Sequence, residues 1–322
     1  MHDSIAMLGL GRMGGNMVQR LLGAGIDCVV YDRDEMAREA LREAGARPAA
    51  DLSEVARLLA PPRAVWLMLP AGEVTRETIS QLSLILEPGD VVVDGGNSHW
   101  QEDWSRREML SARGIDYLDV GVSGGVLGLD RGYCLMVGGS KQAAVSMTRV
   151  FEALAPGQGE TPRAGPKSDA ASTAEMGYLH CGGAGAGHFV KMVHNAIEYG
   201  MMQAYAEGFE LMHARGDSSL PEERRLELDV GEIAELWRRG SVIPSWLLDL
   251  AAEALADDGE LRDFSHKVAD SGEGRWAMQA ALELATPTPA LAAAMYARFA
   301  SQRASSMANR VLSALRAGFG GH

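Results

Sequence analysis

The chain has 322 residues, which is long enough for two domains of common size. Hydrophobic residues make up 47% of it and charged residues 23%, a composition that is typical of a globular protein and excludes a disordered one. The formal net charge is −13 and no Lys/Arg-rich block offsets it, which argues against binding to nucleic acid.

The cysteines and the N-terminus indicate a compartment. Cys28, Cys134 and Cys181 are odd in number and widely spaced, which favours a reducing environment over a disulfide framework or a zinc site. No basic region with a cleavage site opens the chain, and no apolar run reaches the ~18 residues that span a bilayer. We therefore expect a cytoplasmic protein that does not bind membranes.

The first half of the chain alternates short apolar runs with helical stretches. Residues 5–10 predict a buried first strand, 13–24 a helix, and 28–31 a second strand that ends at Asp32. Further apolar runs occupy 64–69, 91–94, 117–120 and 134–137, and helical segments occupy 34–44 and 73–86. This alternation predicts an α/β fold with a doubly wound, Rossmann-type parallel sheet.

The pattern changes after Val150. Residues 155–174 are rich in Pro, Gly, Ser and Ala and predict a surface loop, and from Gly185 the chain is rich in Ala, Leu, Met and Glu. We predict a Rossmann-type dinucleotide-binding domain over residues 1–176 and an all-helical C-terminal domain over 177–322.

The segment Gly9-Leu10-Gly11-Arg12-Met13-Gly14 has the Gly-x-Gly-x-x-Gly pattern. Alone this pattern is weak, but here it lies between a predicted strand and a predicted helix. In that position the glycines permit a tight turn and a close approach to a pyrophosphate at the helix N-terminus. A tight turn without a ligand is the alternative.

Asp32 follows the second predicted strand, where a carboxylate can accept both ribose hydroxyls of NAD and repel the 2′-phosphate of NADP. Arg33 beside it can attract that phosphate, so NAD is the expected cofactor and NADP remains possible. The alternative is that both residues lie in a solvated turn.

A helix is predicted from about residue 185 to 200, with a polar stripe on one face. Lys191, His194, Asn195 and Glu198 share that face by helical periodicity, and Tyr199 lies at its edge. In a cleft, this stripe supplies a base, an acid and hydroxyl-binding groups. A solvated face of an amphipathic helix is the alternative.

Together these segments resemble the 6-phosphogluconate dehydrogenases, in their short bacterial form, over nearly the whole chain. The matching motifs are Gly9-Leu-Gly-Arg-Met-Gly-Gly-Asn-Met17, Asp94-Gly-Gly-Asn-Ser98, Gly121-Val-Ser-Gly-Gly125, Lys191-Met-Val-His-Asn-Ala-Ile-Glu-Tyr199 and Arg316-Ala-Gly-Phe-Gly-Gly-His322. The resemblance implies oxidative decarboxylation of 6-phospho-D-gluconate to D-ribulose 5-phosphate and CO2 with reduction of NAD(P), in the pentose phosphate pathway and gluconate utilisation. It also implies a homodimer or homotetramer assembled through the helical, substrate-binding domain.

The resemblance assigns a role to each matching residue. Lys191 corresponds to the general base and Glu198 to the general acid. The ligands of the sugar-acid carboxylate and hydroxyls would be Asn97, Ser123, Gly124, Gly125, His194 and Asn195. The phosphate ligands would be Tyr199 and Arg298, with Arg316 and His322 reaching into a neighbouring subunit's site. The cofactor ligands would be Gly9, Leu10, Gly11, Arg12, Met13, Gly14, Asp32, Arg33, Leu69, Pro70, Ala71 and Asn97.

Two departures from the family pattern concern the site. Ser271 stands where the long form of the family has a phosphate-binding lysine, and Arg275 is a candidate to compensate. Ala196 replaces a glycine within the helix motif, which favours the helix. No convergent acidic cluster in the sequence suggests a metal, and a positioned lysine ammonium makes one unnecessary.

Two other functions remain open at this point. A β-hydroxyacid dehydrogenase of the 3-hydroxyisobutyrate type shares the domain plan and the lysine, and a cofactor-binding regulator without turnover needs neither acid nor base. Individual residues also have plainer roles: Ser123 in a simple turn, His194 as a core histidine, Arg298 in a surface ion pair, and Arg316 and His322 in a frayed tail.

Overall fold

The computed structural model describes residues 2–159, 161–166, 172–303 and 306–318. Its internal contacts divide the chain into two compact units, residues 1–192 (unit 1) and 193–322 (unit 2). None of the helices formed by the described residues is long and apolar enough to cross a membrane.

Unit 1 is built on one eight-stranded sheet. The strands are β1 Ser4–Leu8, β2 Asp27–Tyr31, β3 Arg47–Pro48, β4 Ala64–Leu67, β5 Val91–Asp94, β6 Asp116–Ser123, β7 Cys134–Gly139 and β8 Tyr178–Gly182. Their order is β3-β2-β1-β4-β5-β6-β7-β8, and every neighbouring pair is parallel except β6 and β7. The order reverses direction beside β1, as in a doubly wound sheet. The predicted fold class is confirmed.

Helices cover the sheet of unit 1. They are α1 Arg12–Gly23, α2 Glu35–Glu43, α3 Leu52–Leu58, α4 Glu73–Ile85, α5 Glu102–Ser111, α6 Gly128–Arg131, α7 Lys141–Ser146, α8 Thr148–Leu154 and the start of α9 Ala186–His213. Along β1, Ile5 and Met7 pack into one buried cluster while Ala6 and Leu8 pack into another. Successive strand residues point to opposite faces, so residues on both faces of β1 are buried, and its residues 5–8 are all apolar.

The last strand of the sheet was not predicted. β8 (Tyr178–Gly182) adds to β7, although its residues alternate between apolar and polar only weakly and include His180 and Gly182. The boundary predicted between residues 176 and 177 lies before this strand, whereas the compact units divide after Met192. The difference arises because β8 and the first turns of α9 pack with the sheet.

Unit 2 consists of the rest of α9 and further helices, α10 Val230–Trp237, α11 Trp246–Asp257, α12 Glu273–Glu283, α13 Pro289–Ser301 and α14 Met307–Gly318. One small core joins α10 and α11 through Ala234, Leu248 and Ala252. Another joins Tyr199 of α9 to Met295 of α13. The helical character predicted for the C-terminal part is confirmed.

The first turns of α9 lie directly on the sheet because two glycines leave no side chain in between. A Cβ atom built on Gly187 would lie 2.3 Å from the carbonyl oxygens of both Asp119 and Met136. One built on Gly121 of β6 would lie 2.3 Å from Cβ of Lys191. Residues other than glycine at positions 187 and 121 would therefore keep the helix backbone and Lys191 further from β6.

We expect Gly187→Ala to lower the free energy of unfolding by about 1–3 kcal/mol, the usual cost of overpacking. The added methyl group meets backbone carbonyls, which cannot move aside as a side chain can, so the clash outweighs the gain in helix propensity of about 1 kcal/mol. Urea denaturation measures the change. Gly183→Ala is the matched control, because a Cβ there meets no atom within 4 Å; equal effects in the two variants would contradict the packing argument.

Candidate active site

The glycine-rich turn links β1 to α1. Gly9 has φ +91°, and a Cβ atom built on Gly14 would lie 2.0 Å from the carbonyl oxygen of Gly9. A Cβ on Gly11 would meet nothing within 4 Å, so the turn is closed on its inner side and open at Gly11. These are the requirements of a loop that admits a pyrophosphate next to the backbone.

Asp32 is fixed against this turn. Its Oδ2 accepts a hydrogen bond from the backbone N of Leu10 at 2.6 Å, and its Oδ1 accepts one from the backbone N of Asp34 at 2.9 Å. Each carboxylate oxygen can accept more than one hydrogen bond, so the carboxylate can hold the loop and still accept a ribose hydroxyl.

A cavity of about 800 Å³ opens at the carboxyl ends of the parallel strands. Predicted cofactor residues among its lining are Gly9, Gly11, Arg12, Met13, Gly14, Asp32, Arg33, Leu69, Pro70 and Asn97. Leu10 and Ala71 are not among the lining residues. Sequence reasoning missed Thr78 and Gln81 of α4, which also line the cavity. Ligands of this fold bind at that edge of the sheet, and the volume falls in the usual range for such sites, so the residues present fit a dinucleotide.

Lys191 reaches the same cavity. Its Nζ donates a hydrogen bond to Oδ1 of Asn97 at 2.7 Å, and both residues line the pocket. Asn97 lies on the loop after β5. The last residue of β5, Asp94, accepts hydrogen bonds from Gly96 N at 3.0 Å and Ser98 Oγ at 2.7 Å. The predicted base therefore lies beside a predicted ligand of both cofactor and substrate.

The Ser123–Gly125 segment follows β6 at the same edge of the sheet. β6 is parallel to β5 and its last residue is Ser123. Gly124 and Gly125 then have φ +139° and +56°, values that L side chains rarely adopt. The segment is a tight backbone turn with Ser123 half-buried at its start.

Three residues predicted near the substrate phosphate are adjacent in unit 2. The Tyr199 hydroxyl is 2.9 Å from Ser271 Oγ, and the Arg298 guanidinium lies 3.7 Å from the centre of the Tyr199 ring. Arg298 Nη1 also donates to the carbonyl oxygen of Ala269 at 2.6 Å. Arg275, the candidate substitute for a missing lysine, instead pairs with Asp270 and stacks over Phe299.

The remaining predicted residues have varied surroundings. Asn195 Nδ2 donates to Oε1 of the buried Glu273 at 2.7 Å. His194 is exposed, which argues against a core histidine, and Glu198 is half-buried in the same helix. Arg316 is exposed on α14, and His322 lies outside the described residues.

Five charged side chains in unit 1, Asp94, Asp103, Arg106, Asp119 and His188, form what we call the buried charge network; each is at most 3% exposed. Arg106 Nη1 donates to Asp94 Oδ2 at 2.9 Å and lies 3.4 Å from Asp103 Oδ1. His188 Nδ1 is 2.8 Å from Asp103 Oδ2, and the backbone N of His188 donates to Asp119 Oδ2 at 3.0 Å.

The network fixes the charge of its histidine. Burial disfavours the charged form of His188, but the carboxylates of Asp103, Asp94 and Asp119 outweigh burial and raise the pKa of His188 to about 9. Burial, followed by repulsion from Asp103, raises the pKa of Asp119. His188 is therefore an imidazolium at neutral pH.

Ligand atoms of Asp94, Asp103 and His188 lie within 4.8 Å of one another, a distance that suits a metal ion. Sequence analysis found no such acidic group, because these residues are far apart in the chain. Here Arg106 already pairs with both carboxylates, and His188 pairs with Asp103. Independence of the reaction from a metal stays a prediction.

Comparison with known proteins decides the family. A family model described as the NAD binding domain of 6-phosphogluconate dehydrogenase matches residues 4–162, and one described as the 6-phosphogluconate dehydrogenase C-terminal domain matches residues 187–315. The chain belongs to the 6-phosphogluconate dehydrogenase family. Unit 1 thus carries the family's NAD-binding domain.

Individual relatives agree with this assignment. A Haloferax volcanii protein named NAD(+)-dependent, decarboxylating 6-phosphogluconate dehydrogenase is 40% identical over 319 residues, which are 99% of this chain and 97% of the relative. The Plasmodium falciparum 6-phosphogluconate dehydrogenase, solved with NADP+ and with 6-phosphogluconate, has a TM-score of 0.77 at 26% identity; the match covers 99% of this chain and 65% of that longer one. A Mycobacterium tuberculosis 3-hydroxyisobutyrate dehydrogenase, at 24% identity and a TM-score of 0.69, covers 98% of this chain and 100% of its own, and shows a shared fold alone.

We expect Asp32→Asn to weaken NADH binding about 10–100-fold, because a hydrogen bond to a charged group is worth about 1.5–3 kcal/mol. NADPH binding should weaken less, since the carboxylate no longer repels the 2′-phosphate. Nucleotide fluorescence titration gives both dissociation constants. Asp34→Asn is the control: Asp34 caps α2 through Met36 N and does not line the cavity. An unchanged NADH/NADPH ratio in Asp32→Asn would remove Asp32 from discrimination.

The raised pKa of His188 predicts a specific dependence of stability on pH. Its protonated form stabilises the folded state fully below the unfolded pKa of about 6.5, and this contribution disappears as the pH rises through 9. The difference in unfolding free energy between the wild type and His188→Asn should therefore shrink by about 3 kcal/mol from pH 6 to 9.5. Urea denaturation across that range measures it, and a constant difference would contradict a charged His188.

Proposed function

We propose that this protein oxidises and decarboxylates 6-phospho-D-gluconate to D-ribulose 5-phosphate and CO2, with NAD preferred over NADP. The observation that carries the proposal is the 2.7 Å hydrogen bond from Lys191 Nζ to Asn97 Oδ1 within the dinucleotide cavity. It supports a lysine that works beside the cofactor, in a chain whose family acts on this substrate.

Lys191 is proposed as the general base of the oxidation. NAD, held by the glycine-rich turn and Asp32, would supply the acceptor for the hydride that leaves C3 of the substrate. Neutral Lys191 takes the proton of the C3 hydroxyl, and Asn97 Oδ1 holds Nζ in place while it does so. As an ammonium, Lys191 then donates a hydrogen bond to the new C3 carbonyl and stabilises negative charge on it as CO2 leaves.

Glu198 is proposed as the general acid that protonates C1 of the resulting enediol. It follows Lys191 by two helical turns in the uninterrupted helix α9, so the two side chains leave the helix in similar directions. The helix spacing and the half-buried position of Glu198 support this role. A reaction without decarboxylation has no need of an acid at C1.

The substrate phosphate is proposed to bind at Tyr199, Ser271 and Arg298. The guanidinium of Arg298 supplies the cation, and the two hydroxyl groups supply hydrogen-bond donors within the same cluster. Arg316 and His322 of a second subunit are proposed to complete this end in a homodimer or homotetramer. The sugar-acid ligands proposed are Asn97, Ser123, Gly124, Gly125, His194 and Asn195.

The main alternative is a β-hydroxyacid dehydrogenase of the 3-hydroxyisobutyrate type. The shared fold does not separate the two functions, because one fold serves many substrates. The Tyr199, Ser271 and Arg298 cluster favours a phosphorylated substrate, since a small unphosphorylated acid has no group for it to bind.

A coupled assay tests the function directly. We expect wild-type protein to form NADH and CO2 in equal amounts from 6-phosphogluconate, and kcat/KM to be higher with NAD than with NADP. 3-Hydroxyisobutyrate should give neither product. NADH formation without CO2, or turnover of 3-hydroxyisobutyrate alone, would contradict the proposal.

Two substitutions test the acid and the base. Lys191→Met should abolish turnover and leave the Kd for NADH near normal, because it removes the base and keeps a side chain of similar length. Glu198→Gln should lower kcat about 10²–10⁴-fold, the range for general acid–base groups. The exposed Lys141→Met serves as the control and should retain full activity. Substantial turnover by Lys191→Met would remove Lys191 from the base role.

A further inference from the structure

The buried charge network touches both segments that place Lys191 and its partner Asn97. On one side, Arg106 Nη1 binds Asp94 Oδ2, and Asp94 in turn accepts hydrogen bonds from Gly96 N and Ser98 Oγ. Asn97 lies between those two donors. A single buried carboxylate, that of Asp94, therefore binds the residues on both sides of Asn97.

On the other side, the network holds the beginning of α9. The Asp119 carboxylate accepts hydrogen bonds from the backbone N atoms of Gly185 at 2.8 Å and His188 at 3.0 Å, which a helix start otherwise leaves unpaired. Asp103 binds the His188 ring at 2.8 Å. His188 precedes Lys191 by three residues, so both side chains lie on the same face of the helix.

Asp103 is the residue that joins the two sides. Its Oδ2 faces His188 of α9, while its Oδ1 accepts a hydrogen bond from the Tyr117 hydroxyl at 2.8 Å and lies 3.4 Å from Arg106. Buried ion pairs are a weak source of stability, since apolar residues of similar volume often stabilise a core as well or better. Such a network instead fixes the orientation and the charge of its side chains.

We propose that His188 and Asp103 are positioning residues for Lys191, which set the place and the charge environment of its Nζ through the Asn97 loop and the start of α9. This inference rests on the proposed function of Lys191 as the base. The buried position of His188 and the contact of its Nδ1 with Asp103 support this role.

The charges around His188 predict the direction in which a substitution there changes the charge near Lys191. The carboxylates of Asp103, Asp94 and Asp119 act on the charge of His188. Arg106 pairs with Asp94, Asp103 and the partly exposed Glu102, and the Tyr117 hydroxyl donates to Asp103. Replacing the imidazolium by a neutral residue makes the network more negative by one charge. A more negative network favours the protonated form of a nearby ammonium group.

Two substitutions at His188 separate geometry from charge. His188→Asn keeps a donor near the position of Nδ1 and removes the charge, whereas His188→Leu removes both. Asp90→Asn is the matched control: Asp90 is a fully buried carboxylate at the other end of β5, where it pairs with Arg63. The hydrogen bonds of its carboxylate go to Arg63 and to the backbone N of Glu87, and none of them goes to the Asn97 loop or to α9.

The first measurement follows Lys191 itself, without turnover. The chain contains four lysines, Lys141, Lys167, Lys191 and Lys267, so protein labelled with ¹³C at lysine Cε gives few signals, and Lys191→Arg identifies the one from Lys191. In His188→Asn the Lys191 signal should titrate at a higher pH than in the wild type. In Asp90→Asn it should titrate as in the wild type.

The second measurement is steady-state kinetics with 6-phosphogluconate and NAD on protein shown to be folded by circular dichroism. At its own optimum pH, His188→Asn should keep kcat within about tenfold of the wild type. His188→Leu should lose about 10²-fold in kcat with little change in KM for NAD, because a 1 Å displacement of a catalytic group costs that much. Asp90→Asn should lower the melting temperature and leave kcat unchanged.

The two measurements fail separately. A wild type that does not turn over 6-phosphogluconate overturns the proposed function, while the lysine titration still tests the positioning. The positioning is overturned if Lys191 titrates at the same pH in the wild type, His188→Asn and Asp90→Asn. It is also overturned if folded His188→Leu retains the wild-type kcat.

Discussion

The carboxylate of Asp119 is the contact on which the arrangement around Lys191 depends. It lies on a central strand, β6, and accepts hydrogen bonds from two backbone N atoms at the start of α9. A carboxylate at a helix N-terminus satisfies unpaired donors and interacts favourably with the helix dipole. Because Gly187 and Gly121 have no side chains of their own, the start of the helix can also lie close against the sheet. Lys191 follows one turn further along the helix. It therefore lies at the edge of the sheet where the glycine-rich turn is found.

Burial of so many charges around this contact has a physical cost that a purely structural core would avoid. Asp94, Asp103 and Asp119 would repel one another if they were alone, and the guanidinium of Arg106 and the imidazolium of His188 make the group tolerable in a low-dielectric interior. The raised pKa of His188 results from that balance of charges. Such a network is rigid, since each member fixes the orientation of the next. Apolar packing near Lys191 would not fix side-chain directions in this way.

The two groups of predicted site residues, one in each unit, differ in how far they follow the family pattern. At the cofactor end the loop, Asp32 and Asn97 all match it, and their geometry suits a dinucleotide. In the group of unit 2, Ser271 stands where the family resemblance predicts a lysine, and its hydroxyl pairs with Tyr199. Arg275, the nearest candidate to replace the missing charge, is held by Asp270 and Phe299. Among the described residues, Arg298 therefore supplies the cation of this cluster, and its guanidinium stacks on the Tyr199 ring.

The sequence alone determined the fold class, the glycine-rich turn and the polar stripe of α9. Each of these depends on spacing within one short segment, where strand and helix periodicity or turn geometry is directly legible. Only the tertiary structure decided that β8 joins the sheet, that Arg275 turns to Asp270, and that Asp94, Asp103 and His188 meet in one buried network. The buried network depends on contacts between residues far apart in the chain, such as His188 and Asp103, which are 85 positions apart. No local pattern records such contacts, because which charged residues become buried partners is settled by the packing of whole elements.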